Sequence, residues 1–392
     1  MNIGLKAVKE GRGNFRPLKL PAPDQHPLVS VLIVNHNHAR YVGRAIESVL
    51  QQTYRMIEVI VCDDGSTDNS CQVIESYLKA NRRLQLISKP HGGAASALNA
   101  AYAESSGSII CILDGDDLFL PEKIQAVVDQ FRQDPQAGLM LHAMTIVDQE
   151  GNELQRMPFL SRFETGWIAE QVVKRGGRYR HMPASALSIR REAAELVFPI
   201  PEGKFRDLAG DFIFTTLPLF TKVGAVPRVL ARYTIHGAYL TVVFRINAEK
   251  PRWKMADVRH VLDGVNWQLE KLGSTDRMLD PNRNLTIAEQ QFVICLLDGE
   301  PRLGLVHDFL VYCGLLLRDD MFRTIQKLAY VIIFGTAIAL PLSRRQNWIS
   351  HAFSPTPKLR MQKAVNSLKS FFQPRFRPDS LPGLEQSGSQ RQ

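Results

Sequence analysis

The sequence predicts an α/β fold, with a mostly parallel sheet flanked by helices and a mainly helical C-terminal extension. Three observations predict it. Short, continuous apolar runs rich in β-branched residues recur between residues 29 and 113, the pattern of strands buried on both faces. Segments with apolar residues at helical spacing alternate with them, as in a doubly covered parallel sheet. Polar clusters gather where three of these strands end, and ligands of open α/β sheets bind beyond the carboxyl ends of strands.

The elements follow in order. Residues 29–35 form the first strand. Residues 41–52 form a helix with Val42, Ala45, Ile46 and Val49 on one face. Residues 57–61 form a strand that ends in Asp63-Asp64-Gly65-Ser66. Asp68 or Ser70 suits the cap of the next helix, which carries Val73, Ile74 and Tyr77. A strand at 84–87, a turn at 90–93 and an Ala-rich helix at 94–104 come next. The strand at 108–113 runs straight into Asp114-Gly115-Asp116-Asp117, and Pro121 suits the first turn of a helix reaching Phe131. Beyond it the pattern is mixed: strand 139–147, helix 166–174, strand 184–189, helix 212–221 and strand 226–233. From Arg252 onward the segments are mostly helical and carry no chemistry motif.

Bulk properties narrow the classes. At 392 residues, with 45% hydrophobic and 22% charged, the chain has ordinary globular composition and ample length for a core. The net charge of +9 sits at the ends: residues 1–20 carry five Lys/Arg against one Glu, and residues 343–378 carry eight and no acid. Such charge describes tails rather than a nucleic-acid groove. Five cysteines without a CxxC pair read as free thiols of a reducing compartment. The N-terminus has no apolar signal core, and the cytoplasm is the expected location.

Asp114-Gly115-Asp116-Asp117 carries the main chemical signal. Three carboxylates within four residues at a strand end repel one another unless a cation sits among them. Mg²⁺ or Mn²⁺ suits hard oxygen ligands and keeps positions open for substrate phosphates. The bland reading is a solvated turn that caps the next helix. Asp63-Asp64-Gly65-Ser66-Thr67-Asp68 follows another strand, where carboxylates accept bonds from a base or ribose, or else form a turn with an Asp/Ser helix cap.

Residues 29–131 resemble the nucleotide-sugar half of a family 2 glycosyltransferase of GT-A fold. The resemblance lies in the order and spacing of Val29–Asn37, Ser48–Tyr54, Glu58–Asp68, Gly92–Asn99 and Leu113–Asp117, weakens toward residue 240 and is absent beyond. It implies inverting, metal-assisted transfer from a nucleotide-sugar donor carrying UDP, GDP or dTDP. The acceptor would be a saccharide or a lipid-linked saccharide, in cell-surface, exopolysaccharide or glycoconjugate assembly. Asn35, His36, Asn37, Asp63 and Asp64 would frame the nucleotide. Asp114 would lie near ribose, diphosphate and metal, and Asp116 would be the principal metal ligand. Asp117 would orient the metal site or touch the sugar. His36 stands where Tyr is usual, so an imidazole would stack on the base. Leu98 stands where Arg is common, leaving Lys89 or His91 to meet phosphate. The implied catalytic base opens a helix at Asp211, with Gly210 in place of the first acid of the family's pair. Asp207 is the runner-up, and a plain helix cap is the bland account. His236, in a segment similar to the family's closing Tyr-Arg-x-His, would touch the diphosphate or the metal, or serve structure alone.

The organisation expected is a flexible basic lead-in at 1–27 and a GT-A domain at 28–240. That domain divides into a donor half at 28–135 and an acceptor half at 136–240. A helical extension at 250–353 and a partly disordered basic tail at 354–392 follow. The apolar run 328–342 is shorter than the ~20 residues that span a bilayer. It reads as a core helix or as a membrane-surface element that brings the protein to the anionic inner face of a membrane. Two other functions stand beside transfer: a sugar-phosphate nucleotidyltransferase, and a non-catalytic nucleotide-sugar-binding protein on the same fold. The first wants a Gly-rich basic phosphate loop after the first strand, which Asn35-His36-Asn37-His38 does not supply.

Overall fold

A computed structural model describes residues 16–156, 163–236, 249–299, 302–345 and Trp348. The first half alternates β1 (Val29–Asn35), α1 (Val42–Leu50), β2 (Ile57–Asp64), α2 (Ser70–Leu78), β3 (Leu84–Lys89), α3 (Ala94–Ala103) and β4 (Ile109–Asp114). The short β5 (Leu118–Phe119), α4 (Lys123–Gln133), β6 (Ala137–Val147), β7 (Glu153–Arg156), α5 (Ala169–Lys174), β8 (Leu187–Arg190), α6 (Ala209–Thr216) and β9 (Lys222–Thr234) complete the α/β part.

One sheet runs in the order β3-β2-β1-β4-β8-β6-β9-β5, with β7 beside β6. The four strands β1 to β4 are parallel to one another, as continuous apolar runs suggest. β8 joins antiparallel to both β4 and β6, so the second half is mixed. This is the mostly parallel sheet flanked by helices, with a helical extension, that the sequence predicts. Apolar side chains pack on both faces. α1 and α4 cover one, and α1 buries the four residues read from its spacing, Val42, Ala45, Ile46 and Val49. α3, α6 and the long helix α7 (Glu249–Lys271) cover the other. Three further helices, α8 (Leu285–Asp298), α9 (Arg302–Arg318) and α10 (Thr324–Ala339), build a separate small core around Phe292, Tyr312 and Phe334.

Several boundaries differ from expectation for local reasons. α4 begins at Lys123, so Pro121 lies in the preceding turn. Residues 184–186 form a 3₁₀ turn before β8. α6 starts at Ala209 and gives way to a 3₁₀ turn at Leu217–Leu219, where Pro218 cannot extend the α-helical ladder. Gly166 stays outside α5 at φ 87° and bridges to Val223. The lead-in is not loose throughout. Leu20 is buried, its N–H and C=O bond the Gln136 side chain, and the Leu18 N–H donates to the Phe220 carbonyl at 2.6 Å. Residues 1–15 and the tail beyond 353 lie outside the described residues. The run 328–342 is a core helix on one side only: α10 buries Phe334 and Ala337 in the small core and ends before Pro341. Among the described residues, no helix is long and apolar enough to cross a membrane.

A buried lysine sits beneath the sheet. Lys123 Nζ donates to Ser188 Oγ at 3.0 Å and lies 4.1 Å from the centre of the Phe119 ring. Burial pushes its pKa below the usual lysine range. Burial, with Lys123 adding, lowers neighbouring His142 to about 3. Lys123→Met keeps the volume and removes the desolvated charge. It is expected to raise the thermal midpoint by about 2–4 °C. A lowered midpoint in a melting experiment would show that the Ser188 bond outweighs desolvation.

Candidate active site

The parallel strands end level. Their register sets Asn35 beside Asp63, Val34 beside Asp114 and Asp64 beside Lys89. Two loops are stitched together there. Asn35 Nδ2 donates to Asp63 Oδ2 at 2.7 Å, and Ser66 donates to the same carboxylate through its N–H (2.9 Å) and its hydroxyl (2.7 Å). Asn37, at φ 57° in the left-handed region asparagine tolerates, accepts from the Thr67 N–H at 2.7 Å. Asn37 and Asp63 spend their polar atoms on the loops, Asn35 gives them its amide N–H while its Oδ1 stays buried without a hydrogen-bond partner, and none of the three is among the residues that line the cavity opening here. They shape its rim from behind.

Asp64 is a buried hub. It accepts from Lys89 Nζ (2.7 Å), Gly92 N–H (2.9 Å) and Gly93 N–H (2.7 Å), and pairs with His91 Nδ1 at 2.8 Å. Burial alone would raise its pKa. The lysine and the N–H donors outweigh that and hold it below the ordinary carboxylate range. Lys89 is thus committed to Asp64 and to the Pro90 carbonyl rather than pointing free as a phosphate ligand. His36 and His91 stack with ring centres 4.2 Å apart, and both line the cavity. Leu98 is buried in the core, and Asn99 instead fastens the backbone of Ile200.

The cavity, about 300 Å³, is bounded by His36, His38, Asp114, Asp116, Asp207 and Tyr233, among others. Gly115 lets the acidic turn close on β1: a Cβ there would stand 2.8 Å from Asn35 Oδ1 and 3.0 Å from the Val34 carbonyl. Burial, with the Asp116 charge adding, pushes Asp114 up to about 7. Asp117 is fully buried. It accepts from Ser185 Oγ at 2.6 Å and the Thr234 N–H at 2.9 Å, and burial lifts its pKa well above the usual value. It ties the acidic turn to the end of β9 and is not among the residues that line the cavity.

Asp116 Oδ2 lies 2.8 Å from His236 Nε2, and His38 completes a cluster whose ligand atoms all fall within 4.8 Å of one another. Tyr41 stacks on the His236 ring at 4.7 Å. Burial lowers the pKa of His38, which favours the neutral imidazole that binds metal. One carboxylate and two imidazoles suit a divalent transition ion such as Mn²⁺ or Fe²⁺ better than Mg²⁺, which prefers oxygen ligands alone. The other His/Asp group, His36, Asp64 and His91, fits a cation less well because Asp64 already holds an ammonium and two N–H donors.

Sequence reasoning missed His38 and Tyr41. Nothing in spacing brings residue 38 to residues 116 and 236, because a loop and the far end of β9 do so. Asp207 lines the cavity. Asp211, in the first turn of α6, is exposed yet close enough to His181 for their charges to interact, and desolvation raises its pKa.

Residues 30–198 match the glycosyl transferase family 2 profile. An uncharacterized glycosyltransferase of Nostoc sp. is 36% identical over 211 residues, covering 54% of this chain and 65% of the relative. The chondroitin synthase of Pasteurella multocida is 37% identical over 155 residues, 38% of this chain and 16% of the synthase. The match thus spans less than two thirds of either relative. The crystal structure of S. aureus TarS 1-349 aligns over 83% of this chain and 90% of that chain, at 14% identity and a TM-score of 0.48.

Proposed function

Because this chain belongs to glycosyl transferase family 2 through residues 30–198, we propose that it transfers a glycosyl group from a nucleotide-diphosphate sugar to an acceptor hydroxyl with inversion. The observation that carries the reading is a single cavity at level strand ends, bounded by Asp114, Asp116, stacked imidazoles and Asp207. The stacked His36 and His91 rings offer a platform for the base of a UDP, GDP or dTDP sugar. Asp116, His38 and His236 would hold a divalent metal, Mg²⁺ or Mn²⁺, with Asp114 beside it. Such a metal neutralises charge that builds on a departing diphosphate. Asp117 fixes the acidic turn through Ser185 and Thr234, so that Asp116 keeps its place. Asp211 takes the proton from the acceptor hydroxyl, and its raised pKa suits that task.

The acceptor is a saccharide or a lipid-linked saccharide, and the setting is assembly of a polysaccharide or glycoconjugate. The match to a chondroitin synthase supports this setting. Five free cysteines, two of them buried in strands, support a reducing compartment such as the cytoplasm.

A thermal-shift series with UDP, GDP and dTDP tests the reading. At 100-fold excess over Kd, a ligand stabilises by about 2.7 kcal/mol. One of the three nucleotides should raise the midpoint only with Mn²⁺ present, and His38→Ala should shrink that gain. A shift that persists undiminished in EDTA would count against the metal centre, and no shift with any nucleotide would count against the donor class.

A further inference from the structure

We propose that α9 and α10 form a face that docks on an anionic lipid surface. The observation begins with exposure. Among the described residues, nine of the twelve large apolar side chains left exposed fall between Leu303 and Leu342. On α9 they include Leu303, Val306 and Leu310, and on α10 Ile325, Leu328 and Ile332. Each set repeats at i, i+3 and i+7, the spacing of one helix face. The exposures are not marginal: Leu303 is 88%, Leu310 63%, Ile325 70% and Ile332 61% accessible. The core-facing sides of the same helices are occupied by Leu305, Tyr312, Leu316 and Phe334. These stripes are therefore a second apolar side that the small core does not use.

Charge selects the occupant. Between residues 302 and 378 the only acids are Asp308, Asp319 and Asp320. Asp319 pairs with Arg178 at 2.6 Å, Asp320 pairs with Arg175, and Asp308 accepts from Cys295 Sγ at 3.0 Å. Arg318, the last residue of α9, and Arg323, just before α10, stay exposed. In sequence, residues 343–378 add eight Lys/Arg and no acid; of these Arg345 is buried against backbone carbonyls, and residues 349–378 lie outside the described residues. Apolar stripes with exposed Arg318 and Arg323 beside them, in a stretch of sequence poor in acids, match the interface of an anionic bilayer, where the apolar side chains insert and the cations meet headgroups. No described helix is long and apolar enough to cross a membrane, so the helices lie on the surface. The face is remote in sequence from every residue assigned to the cavity, and the inference stands whether or not transfer is the activity.

The test is co-sedimentation of the full chain with vesicles of phosphatidylserine in phosphatidylcholine, and of phosphatidylcholine alone. The wild-type chain should pellet with the anionic vesicles, less with the neutral ones, and less again as salt rises. Leu310→Glu combined with Ile332→Glu should cut the bound fraction about tenfold or more while leaving the melting curve and cavity-dependent nucleotide binding unchanged. A chain ending at Ser343 should bind more weakly than the full chain but still prefer anionic vesicles. Equal recovery on both vesicle types, or wild-type binding by the double variant, would overturn the proposal. A dimer that the double variant abolishes, in a protein that leaves vesicles untouched, would overturn it in favour of a second copy.

Discussion

Asp116→Asn is expected to abolish glycosyl transfer and, with it, metal-dependent nucleotide binding. Asp116 Oδ2 faces His236 Nε2 at 2.8 Å, and His38 stands in the same cluster. An amide matches the carboxylate in size but is a poor ligand for a hard cation. What disappears is several kcal/mol of stabilisation of the departing diphosphate, a loss of about 10³-fold or more in turnover. The fold should survive, since Asp116 is partly exposed and pairs with the partly exposed His236. Mn²⁺ binding followed by electron paramagnetic resonance separates the two effects. The variant should melt like wild type and release bound Mn²⁺ to solution. A variant that binds Mn²⁺ normally and still fails to turn over would move Asp116 out of the metal centre.

Asp211→Asn carries the second large effect. Donor and metal binding should persist, because Asp211 lies outside the residues that bound the cavity. Turnover should fall by about 10²–10⁴, the usual worth of a positioned base. The pH dependence adds a sign. A base works only when deprotonated, and desolvation raises the carboxyl of Asp211 above its ordinary value. The acidic limb of kcat should therefore lie above the ordinary aspartate pKa of about 3.9. Asp207 is the control, because it lines the cavity wall. If Asp207→Asn loses turnover while Asp211→Asn keeps it, the proton goes to Asp207 instead.

The parallel half of the fold was legible in the sequence because both faces of its strands are buried. A run such as Val29–Asn35 admits few other readings, and helix α1 buries the four residues its spacing named. The edges were less legible. Pro218 and Gly166 redirected elements whose apolar pattern ran on past them. At the site, the motifs located the strand ends but did not reveal which side chains face the cavity. Asn35, Asp63 and Asp117 are all polar residues at a crevice, yet each turns its polar atoms into the protein. Hydrogen-bond geometry decides that, and composition carries no trace of it. His38 shows the converse. Adjacent β1 and β4 bring it near Asp116, and β9 brings His236 back to the same loop. The exposed stripe of α9 escaped notice because α9 looks apolar all round in sequence, and which side the small core takes depends on α8 and α10.

The most direct test of metal-assisted transfer is nucleoside diphosphate release from UDP-, GDP- and dTDP-sugars, with and without a saccharide acceptor, in Mn²⁺ and in EDTA. The account predicts release from one donor class, faster with acceptor, dependent on Mn²⁺ and absent in Asp116→Asn. Release that is unchanged in EDTA and in Asp116→Asn, or no release from any donor by a protein that still binds the nucleotide, would contradict it.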